Sequence, residues 1–473
     1  MKKTSGIKTA IMSFQHMFAM LGATMLVPVL AGMSISIALL AAGIGTIIFY
    51  FCAKRKVPVF LGSSFAFLPA LCTVVGSGAY AIGSGEWNQR MAATMIALVL
   101  AGVVYIILAI IIKVVGVKRV KTLFPPIVVG PVVIIIGMIL APKMFWNNII
   151  GQYVWGYGLA WQEWTAAGVT ALTIILVNAL AKPKSFLKVI PILIGFIVGY
   201  IYSAIIGLVN INFSGDILIF QQSKELWGFW GATGLGSLDK GLVVSAILMI
   251  VPLAIVTFME HLGDISANST VCNQDFMVDP GLHRTVLGDG LATIASALLG
   301  GPANTTYGEN TAVLAITKNY NPRNIFYAAI IAVVLGLFVP FGEILYSIPS
   351  SVVGGASIVL FGMISASGLR SLVDGKVDFS DSKNLIVVSV TLAIGLGLGA
   401  MSLAGDIVGS FAADFNPAIL KIMIGQVELS PLAIATVVAI VLNLVIPNSK
   451  PDKGEPDAAH QNLTAAPAAD IEE

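Results

Sequence analysis

GSSFAFLPAL (residues 62–71) and NTTYGENTAV (residues 304–313) interrupt a chain otherwise written for hydrocarbon. Each opens on small hydroxyl, amide or Gly residues, carries an aromatic, and runs into a short apolar stretch. Turn and strand formers here exclude a regular lipid-facing helix, because irregular backbone at membrane depth is tolerated only where it is buried in protein or lines a cavity. Each is read as a short extended strand leading into a half-helix. Glu309, an acid inside the second stretch, needs a further reason.

The surrounding composition sets the class. Of 473 residues, 57% are hydrophobic and only 11% are charged, against about a quarter charged in soluble chains. Apolar runs near the roughly 20 residues that cross a bilayer recur from end to end, which leaves no room for a soluble catalytic domain of ordinary size. The net charge of +2 forms no basic face for nucleic acid. Cys52, Cys72 and Cys272 are widely spaced in or beside apolar segments and read as packing residues. No HExxH or paired-Cys pattern is present, so neither metal nor cofactor nor enzymatic activity is expected. The basic MKKTSGIK start resembles a signal peptide, but Gln15 and His16 interrupt the apolar run after it and no convincing cleavage site follows. It is expected to remain as the first span.

Twelve ordinary spans are expected near 11–30, 35–53, 91–115, 123–142, 165–181, 186–208, 240–263, 283–301, 325–348, 352–369, 384–404 and 430–447. The interrupted segments 59–75 and 304–317 bring the count to fourteen. With residue 1 cytoplasmic and all segments crossing, only Arg90, Lys143, Lys224, Lys240 and Lys421 of the 26 Lys and Arg fall outside, which satisfies the positive-inside rule. The interrupted segments are the third and the tenth, so each is the third element of a seven-span half. An odd number of spans per half inverts the second half relative to the first, the plan of many secondary transporters, with substrate bound at midplane where broken elements meet. The expected fold is an all-α polytopic membrane protein, a 7+7 inverted repeat with short strands in segments 3 and 10. Residues 210–239 form a long external loop with Trp227 and Trp230 near the interface, and 448–473 read as a disordered cytoplasmic tail.

Glu260 and Glu309 stand out as acids well inside apolar segments. An ionised side chain at midplane costs about 2.5 to 3.5 kcal/mol even on mild scales, so each is a functional candidate, against the plainer reading of a structural carboxylate satisfied by amides. Asp264 follows Glu260 on the same helical face, where two ionised acids repel. A shared or protonated state relieves this and makes the pair a candidate proton carrier; the plainer reading of Asp264 is a solvated helix end or a partner for a nearby hydroxyl. His261 points to another face and reads as packing. His16 either holds the proton of a core acid or ties helices together. Asn304 and Asn310 are expected to satisfy open backbone groups, and the Gly395 to Gly399 run reads as close helix packing.

QHMFAMLGATMLVPVL (15–30), GSSFAF (62–67), FPP (124–126), EHLGD (260–264), DPGLHR (279–284) and TTYGENTAVLAITK (305–318) resemble, in order and spacing, the nucleobase-ascorbate transporter family, also called nucleobase:cation symporter-2. The likeness covers about 10 to 447 and is closest to the bacterial uracil-carrying members. It implies a core domain of 1–122 and 240–350 and a gate domain of 123–239 and 351–447. It also implies that Glu260 and Glu309 contact the base, and that the backbone amides of Phe65 and Gly308 face it. Proton-coupled uracil import across the cytoplasmic membrane by a homodimer with both termini cytoplasmic is what the resemblance leads one to expect. A xanthine or other purine carrier is the alternative, and an anion transporter of the same 7+7 plan is a more distant one. The pattern departs at Ala312, where the signature usually has Gly, and at Asp264, where some uracil carriers have His.

Overall fold

The computed structural model describes residues 6–447 except 118, 120–123, 155–158, 183–184, 189, 212, 413 and 425–426. The tail 448–473 lies outside the described residues. Each of the fourteen segments read from the sequence coincides with a helix or a broken element. Among the described residues, eight helices are long and apolar enough to cross a membrane, from Thr9–Ala31 to Ser382–Phe411, and Pro191–Ile205, Pro322–Leu337 and Pro431–Val445 are shorter apolar ones. Several begin on proline, which lacks an N–H just where the first helical turn leaves N–H groups unpaired. Several boundaries differ from expectation, among them the eighth span, which continues past 263 to Cys272, and the thirteenth, which continues past 404 to Phe411. The fourth span starts at Gly85, because Ser84 Oγ caps Trp87 N at 3.2 Å and Trp87 is buried. The eleventh is split into Pro322–Leu337 and Val339–Tyr346, with Phe338 extended between them and bridged to Leu218, and Pro340 sits in the first turn of the second piece, where its missing N–H costs nothing.

The two interrupted segments pair with each other. Strand β1 (Leu61–Ser63) runs antiparallel to β2 (Asn304–Thr306), with Gly62 opposite Thr305. Ser64 N donates to Ala303 O at 2.9 Å and Tyr307 N to Phe60 O at 3.1 Å, extending the ladder at each end. Outer edges are closed by side chains rather than water. Thr46 Oγ1 accepts from Leu61 N at 2.9 Å, Thr293 Oγ1 donates to Asn304 O at 3.1 Å, and Asn304 Nδ2 donates to Ala41 O at 3.1 Å. This is how a strand survives at lipid depth, where an unpaired backbone group costs several kcal/mol. Gly62 is required by close approach, since a Cβ there would stand 2.4 Å from the Tyr307 ring. The half-helices Leu68–Val75 and Gly308–Thr317 follow the strands directly.

Helices pack as two groups around this pair. In the first, Leu282–Leu299 packs on Gly85–Val115 and Ile35–Cys52, and Ile35–Cys52 packs on Pro322–Leu337. In the second, Pro126–Met144 packs on Ser350–Asp374 and Ser382–Phe411, and Ala160–Leu180 packs on Pro191–Ile205. The Gly395 to Gly399 run serves close packing as read: Cβ atoms there would stand 2.4 and 2.6 Å from Ile135 and Ile139 side chains.

The loop read at 210–239, which the sequence left without a role, is folded onto the first group through Trp227, Phe229 and Trp230. Phe229 is fully buried. Trp227 and Trp230 donate their indole N–H groups to Leu299 O at 2.8 Å and Leu298 O at 3.0 Å, satisfying carbonyls that the end of helix Leu282–Leu299 leaves open.

Candidate substrate-binding site

Helix Leu253–Cys272 passes the strand pair and packs on β2 and on Gly308–Thr317. Its residues Glu260 and Asp264, one turn apart, are therefore carried to the crossing on a single face. Thr306 Oγ1, at the end of β2, donates to Asp264 Oδ2 at 2.7 Å. Gly308 opens the half-helix beyond Tyr307 and is exposed; a Cβ on it would lie 3.7 Å from Asp264 Oδ1. Glu309, next along, is half-buried like Glu260 and Asp264.

The structure thus brings three carboxyl groups to one place. Among the described residues, the charged groups that act on Glu260 are Asp264, Glu309 and Asp289, all acidic. Glu260 Oε2 is buried with no hydrogen-bond partner. Acceptors gathered without a neighbouring Lys or Arg require hydrogen-bond donors, supplied by protons or by the N–H groups of a ligand. Donors of the opposite kind lie next to them. Neither half-helix has a side chain at its N-cap position hydrogen-bonded to its first turn; the second opens beside Glu309, whose carboxyl reaches its own backbone N–H, while in the first Leu68 N donates to Phe65 O at 3.1 Å and Pro69 has no N–H to offer.

Phe65, between β1 and its half-helix, is buried and meets Phe361 of Ser350–Asp374 edge-on at 5.7 Å. That contact joins the two helix groups at the crossing. Tyr307 is buried and its hydroxyl donates to Ser63 O at 2.8 Å. His16 is fully buried, and Asn310 Nδ2 meets both its Nδ1, at 3.2 Å, and its carbonyl oxygen, at 3.0 Å. Asn310 thus ties His16 to the half-helix, while the other ring nitrogen, Nε2, is buried without a hydrogen-bond partner. Asn304 satisfies backbone carbonyls, as its residue type suggested.

His261 is more than packing. Its Nδ1 lies 2.7 Å from Asp289 Oδ2 and its Nε2 lies 2.9 Å from Thr285 Oγ1, with His and Asp fully buried. Tyr105 OH donates to Thr257 Oγ1 at 2.5 Å one turn earlier on the same helix. Sequence reasoning passed over Asp289, although an acid in the apolar 283–301 run was the available signal. His261 points away from the substrate face, as its spacing indicated, and finds a partner there.

Residues 7–403 match the model of the Permease family. The uracil permease of Bacillus caldolyticus is 39% identical over 457 residues, 96% of this chain and 93% of that protein. That of Bacillus subtilis (strain 168) is 37% identical over 454 residues, 95% and 94% of the two chains, and that of Escherichia coli (strain K12) is 34% identical over 471 residues, 97% and 96%. Among solved structures, the transmembrane domain of the cyanobacterium bicarbonate transporter BicA superposes with a TM-score of 0.56 at 13% identity, covering 92% of this chain and 96% of that one. SLC26A9 gives 0.61 at 13% identity, covering 93% and 64%. At that identity these likenesses establish the inverted-repeat fold and nothing about cargo.

Proposed function

The chain belongs to the permease family of nucleobase transporters, and from that premise we propose that it imports uracil together with a proton across the cytoplasmic membrane. One observation carries the reading: the carboxyl groups of Glu260, Asp264 and Glu309 gather at the end of β2, where the half-helix Gly308–Thr317 begins without a side-chain cap. Uracil presents two ring N–H donors and two carbonyl acceptors in one plane. Carboxylates that accept and backbone amides that donate match that edge pattern. In this reading Glu260 and Glu309 accept from the ring N–H groups, and the amides of Phe65 and Gly308 donate to the carbonyls. This is the further reason for Glu309: the broken span frees an amide, and the acid beside it gives the ligand a donor and an acceptor together. An anion carrier of the same fold would place half-helix N-termini around its cargo without acids beside them, so the acids favour the neutral base.

The two helix groups support a core of 1–122 and 240–350 that carries the base against a gate of 123–239 and 351–447. The edge-on Phe65–Phe361 contact lies where such bodies would part. The distribution of Lys and Arg supports cytoplasmic termini, and a homodimer is part of the proposal. The test is uptake of labelled uracil by cells lacking their own carrier, competed with xanthine, guanine, ascorbate and sulfate. Uracil is expected to compete fully and sulfate not at all; strong competition by sulfate would reverse the reading.

Asp264 is assigned the coupling role with Glu260. Its hydrogen bond from Thr306 ties its state to the strand that holds the base. Asp264→Asn keeps an acceptor oxygen for Thr306 but cannot exchange a proton. Uracil binding is expected to stay within a few-fold, while accumulation driven by an imposed pH gradient falls about tenfold or more. Vesicle uptake with the same pH dependence as the parent protein would remove Asp264 from the coupling path.

A further inference from the structure

Three adjoining helices end in cations close together, away from the site above. Helix Leu282–Leu299 lies between Ile35–Cys52 and Gly85–Val115 and packs on both. Its residues Leu287 and Leu291 are half-buried and one turn apart, so an apolar strip continues beyond its first turn between the two flanking helices. Arg284, one turn before Leu287, heads it. Lys113 lies in the last turn of one flanking helix, and Lys54 in the turn that closes the other. Arg284 stands near enough to Cys52, and Arg284, Lys113 and Lys54 near enough to His283, for their charges to act on those groups, as expected where the ends of packed helices meet.

Lys56, nearby in sequence, pairs with Asp279 at 2.5 Å, and Arg55 stands over the Phe51 ring at 5.0 Å. Among the described residues, no carboxylate forms an ion pair with Lys54, Lys113 or Arg284. Like charges converging at the head of an apolar strip suit an anion that also carries a hydrocarbon chain. We propose that the strip is a binding site for an anionic phospholipid, with the phosphate among Arg284, Lys113 and Lys54 and an acyl chain along Leu287 and Leu291. It lies in the cytoplasmic leaflet, a placement that rests on the topology proposed above. An anionic headgroup there neutralises the cluster and steadies the core helices that back the strand pair.

Native mass spectrometry of the full chain, incubated with phosphatidylglycerol or phosphatidylcholine, tests the proposal. The parent protein is expected to retain phosphatidylglycerol in preference to phosphatidylcholine. Lys113→Gln with Arg284→Gln should lower that retention roughly tenfold, Arg284→Lys should keep it, and Lys224→Gln with Lys240→Gln, on the opposite side, should leave it unchanged. Equal retention of the two lipids, or undiminished retention in the first double variant, overturns the site. Displacement by excess inorganic phosphate would reduce it to a simple anion site and overturn the lipid assignment. Labelled-uracil binding by the same preparations is expected to be unaffected, which separates this outcome from the fate of the transport reading.

Discussion

Glu260→Ala is expected to abolish measurable uracil binding and reduce uptake to background. The carboxyl is the member of the cluster whose Oε2 is buried without a protein partner, so its hydrogen bonds are reserved for what enters the site. A hydrogen bond to a charged group contributes about 1.5 to 3 kcal/mol, or roughly 10- to 150-fold in affinity for one bond. The loss grows when a ring N–H of the bound base is then left unpaired in a dry site. Glu309→Gln is expected to be milder but still severe, because the amide keeps an acceptor oxygen while its NH₂ now opposes a ligand donor. Isothermal calorimetry with purified protein separates the two outcomes from misfolding, provided melting temperatures stay near that of the parent. Binding of uracil by Glu260→Ala within three-fold of the parent would remove Glu260 from the site.

The legible part of this fold was the part written in periodicity and interruption. Apolar runs located the helices, and Gly, Ser, Thr and Asn in 62–71 and 304–313 located the two breaks. Those breaks had to find each other, because strands at lipid depth can satisfy their backbone only by pairing or by side-chain staples such as Thr46 and Asn304. The carboxyl pair at 260 and 264 was legible from helical spacing alone. What escaped depends on which helix a side chain faces, and one-dimensional spacing does not contain that. His16 could have met an acid or an amide, and it met Asn310, 294 positions away. The packing of Trp227 and Trp230 on the end of helix Leu282–Leu299 was hidden for the same reason. A 30-residue loop with two Trp residues says that something is covered, not what.

The buried His261–Asp289 pair supplies the second large expectation. Removing one partner of a buried pair leaves the other without compensation and costs about 3 to 5 kcal/mol, whereas removing both costs far less. His261→Ala and Asp289→Ala should therefore each lower the melting temperature of the purified protein by several degrees, and the double variant should recover much of that loss. In a double-mutant cycle the coupling should reach about 2 to 3 kcal/mol. The pair also has a geometric consequence. His261 is bonded through both ring nitrogens to helix Leu282–Leu299, which fixes the rotation of helix Leu253–Cys272 about its axis. Glu260 and Asp264 leave the same helix toward the strand crossing, so that rotation sets where their carboxyl groups stand. His261 is thus a positioning residue: in His261→Ala, uracil affinity should fall several-fold with the rank order of competing bases unchanged, since no contact to the base is lost. Strictly additive melting losses in the cycle, together with an affinity equal to that of the parent, would show that the pair neither compensates its own burial nor orients the site.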